Sequence, residues 1–301
     1  MQVRNPAVAG SFYPGQAKKL RDSVADYIRV ALDAIPAAEK GRSSPLPKAI
    51  IAPHAGYVYS GPVAGSAYAR LVGARGVVSR VVLAGPAHRV PVRGLAVSGA
   101  DGFATPLGVV PVDKASVTAI RALPQVEVYD APHAYEHSLE VHLPFLQYIL
   151  GPEEQKAAAP EGKRKRAEKG TEESAAGAAG FTLVPLLVGD TEAQETAEVL
   201  EALWGGPETL FVISTDLSHF HDYATAKELD AAATRAIEAL RPEDLGYEQA
   251  CGRAPVAGLL VAARKRGLRI RTLDLRNSGD TAGGRAQVVG YGAWALYGPE
   301  S

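Results

Sequence analysis

Short apolar, β-branched runs that alternate with longer segments of helical period constrain this chain more than any other feature. Lys48-Ala49-Ile50-Ile51-Ala52, Ser79 to Ala84, Phe181 to Val188 and Thr209 to Ser214 read as buried strands. Helix-period segments follow them: an Ala-rich one introduced by Ser60-Gly61-Pro62 and running to about Leu71, and others near 191–203 and 222–240. This βαβα order predicts a parallel or mostly parallel sheet with helices on both faces. Leu268 to Leu275 and Gln287 to Tyr297 read as two more strands joined by the Gly-rich stretch Ser278 to Gly284. An antiparallel hairpin there, at the sheet edge, makes the sheet mixed.

At 301 residues, 47% hydrophobic and 22% charged, the chain can bury one large core, and a single α/β domain over 1–301 is expected. Lys and Arg total 32 against 33 Asp and Glu, so the overall balance points neither to nucleic acid nor to an anionic membrane. The N-terminus has no basic segment followed by an apolar stretch, and no apolar run reaches about 18 residues, so a cytoplasmic protein without a membrane span is expected. One stretch departs from the pattern. Residues 153–180 are rich in Ala, Gly, Lys and Glu, and their six acidic and six basic side chains, Lys163-Arg164-Lys165-Arg166 among them, read as a flexible, solvated, low-complexity insertion.

The polar residues that follow the strands carry the chemistry. Strand 48–52 runs into Pro53-His54-Ala55-Gly56-Tyr57, strand 79–84 into Gly85-Pro86-Ala87-His88-Arg89, and strand 209–214 into Thr215-Asp216-Leu217-Ser218-His219. Ligands of open α/β sheets bind beyond the carboxyl ends of the strands, so two histidines and an Asp-x-x-His are delivered to one edge. Two imidazoles with a third, anionic ligand form a non-haem iron site, and the same groups suit copper or zinc. If His54 is a ligand, Tyr57 or Tyr59 should wall the pocket; otherwise both are interior tyrosines. Neither a GxGxxG fingerprint nor a phosphate-binding loop occurs, so nothing points to a nucleotide cofactor.

A single cysteine, Cys251, excludes an internal disulfide and any CxxC motif. It precedes the apolar run Val256 to Ala263, which puts it at a helix N-terminus, where the dipole and free amides favour a thiolate. It reads as a soft metal ligand, a nucleophile or a small buried hydrophobe. The last cluster is Ala131 to His142. Glu136 and His137 open an expected helix through Leu150, with Pro144 as a kink, and line the pocket as supporting or acid/base groups, while His142 packs or faces solvent. His133 and His137 have a ligand-pair spacing only on a helix that begins before 133, which Pro132 and a turn-like 131–135 oppose.

Several of these segments are long and unusual. Asn5 to Pro14, Pro53 to Gly61, Gly85 to His88, Thr105 to Gly108, Glu136 to Glu140, Ser214 to Phe220 and Val289 to Tyr291 resemble the Memo family (mediator of cell motility), whose microbial members are called AmmeMemoRadiSam system protein B. The resemblance implies a fold shared with LigB-like class III extradiol dioxygenases. It puts the family's metal ligands on His54, His88 and Cys251 and its pocket on Asp216 and His219. Cysteine then stands where the dioxygenases have a glutamate, so catechol cleavage does not follow from the fold. Two function classes result: a metal-dependent redox enzyme, and a binding module for phosphotyrosine-like or other anionic ligands. In the first, His219 or His137 is the acid/base, Asp216 orients an imidazole and Tyr59 borders a small-molecule or peptide ligand. Arg89 and Arg253 pair with an anionic group in either class. A weaker third class is a hydrolase with Cys251 as nucleophile. The family name implies radical-SAM and AMMECR-type partners.

Overall fold

A computed structural model describes residues 1–37, 45–152 and 179–299. All of the expected insertion except Ala179 and Gly180 lies outside the described residues. The strands are β1 (Val3–Arg4), β2 (Ala49–Ala52), β3 (Arg80–Pro86), β4 (Leu95–Val97), β5 (Gly102–Thr105), β6 (Gly108–Pro111), β7 (Val126–Val128), β8 (Thr182–Val188), β9 (Thr209–Ser214), β10 (His219–His221), β11 (Arg269–Asn277) and β12 (Val288–Tyr297). The helices are α1 (Ala17–Ala34), α2 (Tyr57–Tyr68), α3 (Lys114–Ile120), α4 (Asp130–Ala134), α5 (Leu143–Leu150), α6 (Ala193–Ala202), α7 (Tyr223–Glu238), α8 (Arg253–Lys265) and α9 (Ser278–Thr281).

The main sheet runs β10-β12-β2-β9-β3-β8-β4-β7, with β11 also paired to β12. Its centre, β2-β9-β3-β8, is parallel. On one side β12 is antiparallel to β2, and on the other β4 is antiparallel to β8, so the sheet is mixed. Every residue of β2 and β9 is buried, and successive side chains of a strand point to opposite faces, so both faces of the sheet centre are covered. The expected edge hairpin is present as β11 and β12, with β11 outermost and β12 joining the pair antiparallel to β2. A small sheet, β1-β5-β6, carries the N-terminus. No helix among the described residues is long and apolar enough to cross a membrane.

Two helix expectations are corrected. The helix after β2 starts at Tyr57 rather than after Ser60-Gly61-Pro62: the Tyr57 N–H is satisfied by the Phe12 carbonyl at 2.7 Å and Pro62 is carried inside the helix. No helix runs from His137. Residues 130–134 form a one-turn helix, Glu136 and His137 lie in a loop, and α5 begins at Leu143 with Pro144 in its first turn, where a missing N–H costs nothing. The Glu136 carboxylate accepts the amides of His137 and Ser138 at 2.9 and 3.0 Å, which competes with helical bonding.

That loop is fastened from the N-terminus. The buried Arg4 guanidinium pairs with Glu140 and donates to the carbonyls of Glu136 and His133 at 2.5 and 2.9 Å. Glu140 also accepts the amides of Ala7 and Val8 and the Tyr13 hydroxyl. Removing one member of such a buried pair costs about 3–5 kcal/mol. On another part of the sheet, α8 meets α6 at Gly258, where a Cβ would stand 2.3 Å from Thr196 Cγ2. Glycine therefore sets how closely α8, the helix behind Cys251, can seat.

Candidate metal centre

Because β2, β9 and β3 are parallel neighbours, the residues just past Ala52, Ser214 and Pro86 emerge together at one edge. They carry His54, Asp216 and His88. Cys251 arrives from the start of α8, with Gly252 as the cap residue between them. Two hydrogen bonds fix it against the β9 exit: Cys251 N–H donates to the Asp216 carbonyl at 3.2 Å, and Asp216 N–H to Cys251 Sγ at 3.3 Å. His54, His88 and Cys251 form a group whose ligand atoms all lie within 4.8 Å of one another; His88, Glu136 and His137 form another.

Hydrogen bonding decides which ring nitrogens face the centre. The Ser214 hydroxyl has one proton and donates it to the Ser138 carbonyl at 2.7 Å, so at 2.6 Å from His54 Nδ1 its oxygen accepts. His54 therefore carries its proton on Nδ1 and presents the Nε2 lone pair, 3.4 Å from Cys251 Sγ. Likewise, the Glu136 carboxylate accepts hydrogen bonds from His88 Nδ1–H at 2.9 Å and from its backbone N–H at 2.6 Å, leaving His88 Nε2 free. Fixing a ligand's tautomer through its far nitrogen is what supporting groups do around metals. Burial, reinforced by His88 and His137, holds His54 well below its ordinary pKa, so the ring stays neutral. Against the cost of its own burial, Glu136 is held far below the usual carboxylate range by His137 and His88. A soft thiolate with two neutral imidazoles fits iron, copper or zinc.

The Cys251 thiol departs from expectation. Burial first, and then the neighbouring Asp216 carboxylate, push it up to about 12, so the helix terminus does not win and the group is a thiol in the absence of a cation. Burial likewise raises Asp216, whose Oδ1 accepts His54 N–H at 2.7 Å and whose Oδ2 lies 3.9 Å from His54 Nε2. Asp216 thus stands on the Nε2 side of His54; the group that meets Nδ1 is Ser214.

A cavity of about 550 Å³ opens beside the centre, lined by His88, Arg89, Asp190, Tyr247, Cys251 and Arg253 among others. Tyr57 is placed elsewhere: its ring is buried against Tyr13 and Phe145 and its hydroxyl donates to the Val141 carbonyl at 2.6 Å. Tyr59 is 40% exposed. Glu136 has both carboxylate oxygens engaged and is 2% exposed, so it acts on His88 rather than on a ligand. His137 stacks on His88 at 4.8 Å and 22°. His142 packs, with Nδ1 2.9 Å from the Tyr68 hydroxyl, and His133 is buried with Nε2 3.1 Å from the Ala96 carbonyl. His219 donates Nδ1–H to the Leu217 carbonyl at 2.7 Å from β10, where a bulge and a left-handed Phe220 (φ 62°) follow it. A non-glycine residue held there stores strain of order 1–3 kcal/mol, a pattern frequent near functional sites.

Sequence reasoning assigned no role to Ser214, Ser138 or Phe12, whose ring lies 4.8 Å from His137. The signal for Ser214 was slight: one hydroxyl closing an otherwise apolar strand, directly ahead of Asp216.

Comparison with known proteins agrees with the resemblance. A family model described as Memo-like protein matches residues 4–295. A MEMO1 family protein of Aeropyrum pernix is 34% identical over 97% of this chain and 99% of its own length. One from Aquifex aeolicus is 32% identical over 97% and 98%, and one from Thermotoga maritima 31% over 96% and 97%. The chain therefore belongs to the Memo family.

Proposed function

We propose that the protein holds a redox-capable metal ion on His54, His88 and Cys251 and acts as a metal-dependent redox protein on a small ligand in the adjoining cavity. The observation that carries this reading is the pair of hydrogen bonds that leave Nε2 open on both histidines, within a group whose ligand atoms, Cys251 Sγ included, lie within 4.8 Å of one another. Iron or copper bound there supplies one-electron chemistry and a Lewis acid for an oxygen-bearing ligand. The chain's own residues do the rest. Ser214 and Glu136 keep the imidazoles in one tautomer, and His137, stacked on His88, is the ring placed to hold or pass a proton. His219 is a second acid/base candidate, one carbonyl bond from the Asp216 loop.

A relation in fold to LigB-like class III extradiol dioxygenases belongs to this reading and is supported by the position of the donors at the carboxyl ends of parallel strands. Joint action with radical-SAM and AMMECR-type proteins rests on the family resemblance. The hydrolase reading is weakened by the Cys251 thiol near 12, since a nucleophile must ionise near neutral pH.

Metal analysis of protein purified without oxygen tests the reading. Near-stoichiometric iron or copper in the wild type and its loss in both His54→Ala and Cys251→Ala are expected. Full metal retention in both variants, or a metal-free wild type that cannot be loaded, overturns it.

A further inference from the structure

The cavity beside the centre carries an unbalanced charge. Arg89 and Arg253 line it with His88 and Cys251, and Asp190 is the one carboxylate in the lining. Among the described residues neither arginine pairs with a carboxylate. Arg253 instead sits over the Tyr247 ring, its guanidinium carbon 3.9 Å from the centroid. A cation–π contact does not use up the guanidinium's N–H donors, and such a fork grips an oxyanion through two parallel bonds.

From this geometry we propose that the cavity is a recognition site for a small organic anion, held at its carboxylate or phosphate end by Arg89 and Arg253. This deepens the functional reading by naming the ligand class, and it rests on that reading only for the role of the metal. Sequence position alone had put each arginine next to a ligand residue; the shared cavity makes them parts of one site. Asp190, exposed in the same lining, accepts a hydrogen bond from a hydroxyl or ammonium group on that ligand. The rest of the molecule then lies along the wall formed by Val90, Pro91 and Val188, with its far end toward His88 and Cys251. Two guanidinium groups against one carboxylate favour a ligand with net negative charge. A neutral or cationic ligand would leave the excess positive charge of the lining uncompensated.

The test is calorimetric titration with orthophosphate and, separately, malonate, each against chloride at matched ionic strength. Untreated and chelator-stripped wild type are compared with Arg89→Ala, Arg253→Ala, Arg253→Lys and, as a charge control on α1, Arg29→Ala. Saturable binding of at least one anion is expected. It should weaken about tenfold or more in each Arg→Ala variant, be only partly restored by Arg253→Lys, and be unchanged in Arg29→Ala. Malonate alone identifies a carboxylate ligand and orthophosphate alone a phosphate. Binding that survives stripping separates this site from the metal, so that loss of the metal reading would leave it standing. Absence of saturable binding for both anions overturns the proposal. So does equal binding in the wild type and both alanine variants, and so does binding that vanishes on stripping while being insensitive to the arginines.

Discussion

His54 Nδ1 lies 2.6 Å from Ser214 Oγ, and the hydroxyl donates a hydrogen bond to the Ser138 carbonyl at 2.7 Å. The metal-facing nitrogen of His54 is thus chosen by a serine at the end of a buried strand. Gly85 makes room for this, since a Cβ there would stand 3.0 Å from Ser214 Cβ.

Replacing Ser214 by alanine leaves the His54 Nδ1 proton and the Ser138 carbonyl without their partner. Metal affinity should fall about 10–100-fold, the range seen when supporting groups around a metal are removed. Stability should fall by about 1–3 kcal/mol for the unpaired buried groups. Competition with a chelator and urea denaturation measure the two effects separately. An unchanged metal affinity would show that the tautomer is set elsewhere.

Gly252 separates Cys251 from α8 at a place with no room for a side chain. A Cβ there would meet the Ser214 carbonyl oxygen at 2.3 Å and Thr215 Cβ at 2.6 Å. These atoms belong to the β9 exit, so Gly252→Ala must push Cys251 away from His54. The expected result is a loss of about 1–3 kcal/mol of stability, as for other overpacked sites, together with weakened metal binding. Retention of both would show that the β9 exit can yield.

Burial holds His133 down to about 4, against about 6.5 when unfolded. Above pH 6.5 both states are neutral and the folded state loses nothing. As pH falls from 6.5 to 4 the unfolded chain takes up a proton that the folded chain refuses, so stability drops, by about 3 kcal/mol for this group. His142, held near 3, adds a loss of the same sign. Asp230, raised by burial to about 6, opposes them as it protonates. His133→Gln should therefore lose about 3 kcal/mol less than the wild type over this range, read from urea midpoints at successive pH values. Parallel curves would contradict the assignment.

The strand ends that carry His54, His88 and Asp216 were legible because apolar β-branched runs stop abruptly at polar residues, and that boundary survives folding. Cys251 was legible as a residue ahead of a helix, but its protonation was not. The helix dipole is local in sequence, whereas what outweighs it is tertiary: burial, and the Asp216 carboxylate 35 residues away. The 136–139 loop was misread for a related reason: its apolar spacing suits a helix, but the Glu136 side chain folds back on two amides and Arg4 takes the Glu136 carbonyl. Tyr57 shares a motif with His54, yet as the first residue of α2 its ring turns into the core.

Cobalt(II) titration followed by absorbance tests the centre most directly, because a thiolate-to-cobalt band reports coordination by Cys251 itself. The wild type at neutral pH should develop that band to saturation. Protons should be released as it forms, since a thiol near 12 must ionise to bind. Cys251→Ser should show no such band. A wild type without the band, or an equal band in Cys251→Ser, would contradict a metal centre built on His54, His88 and Cys251.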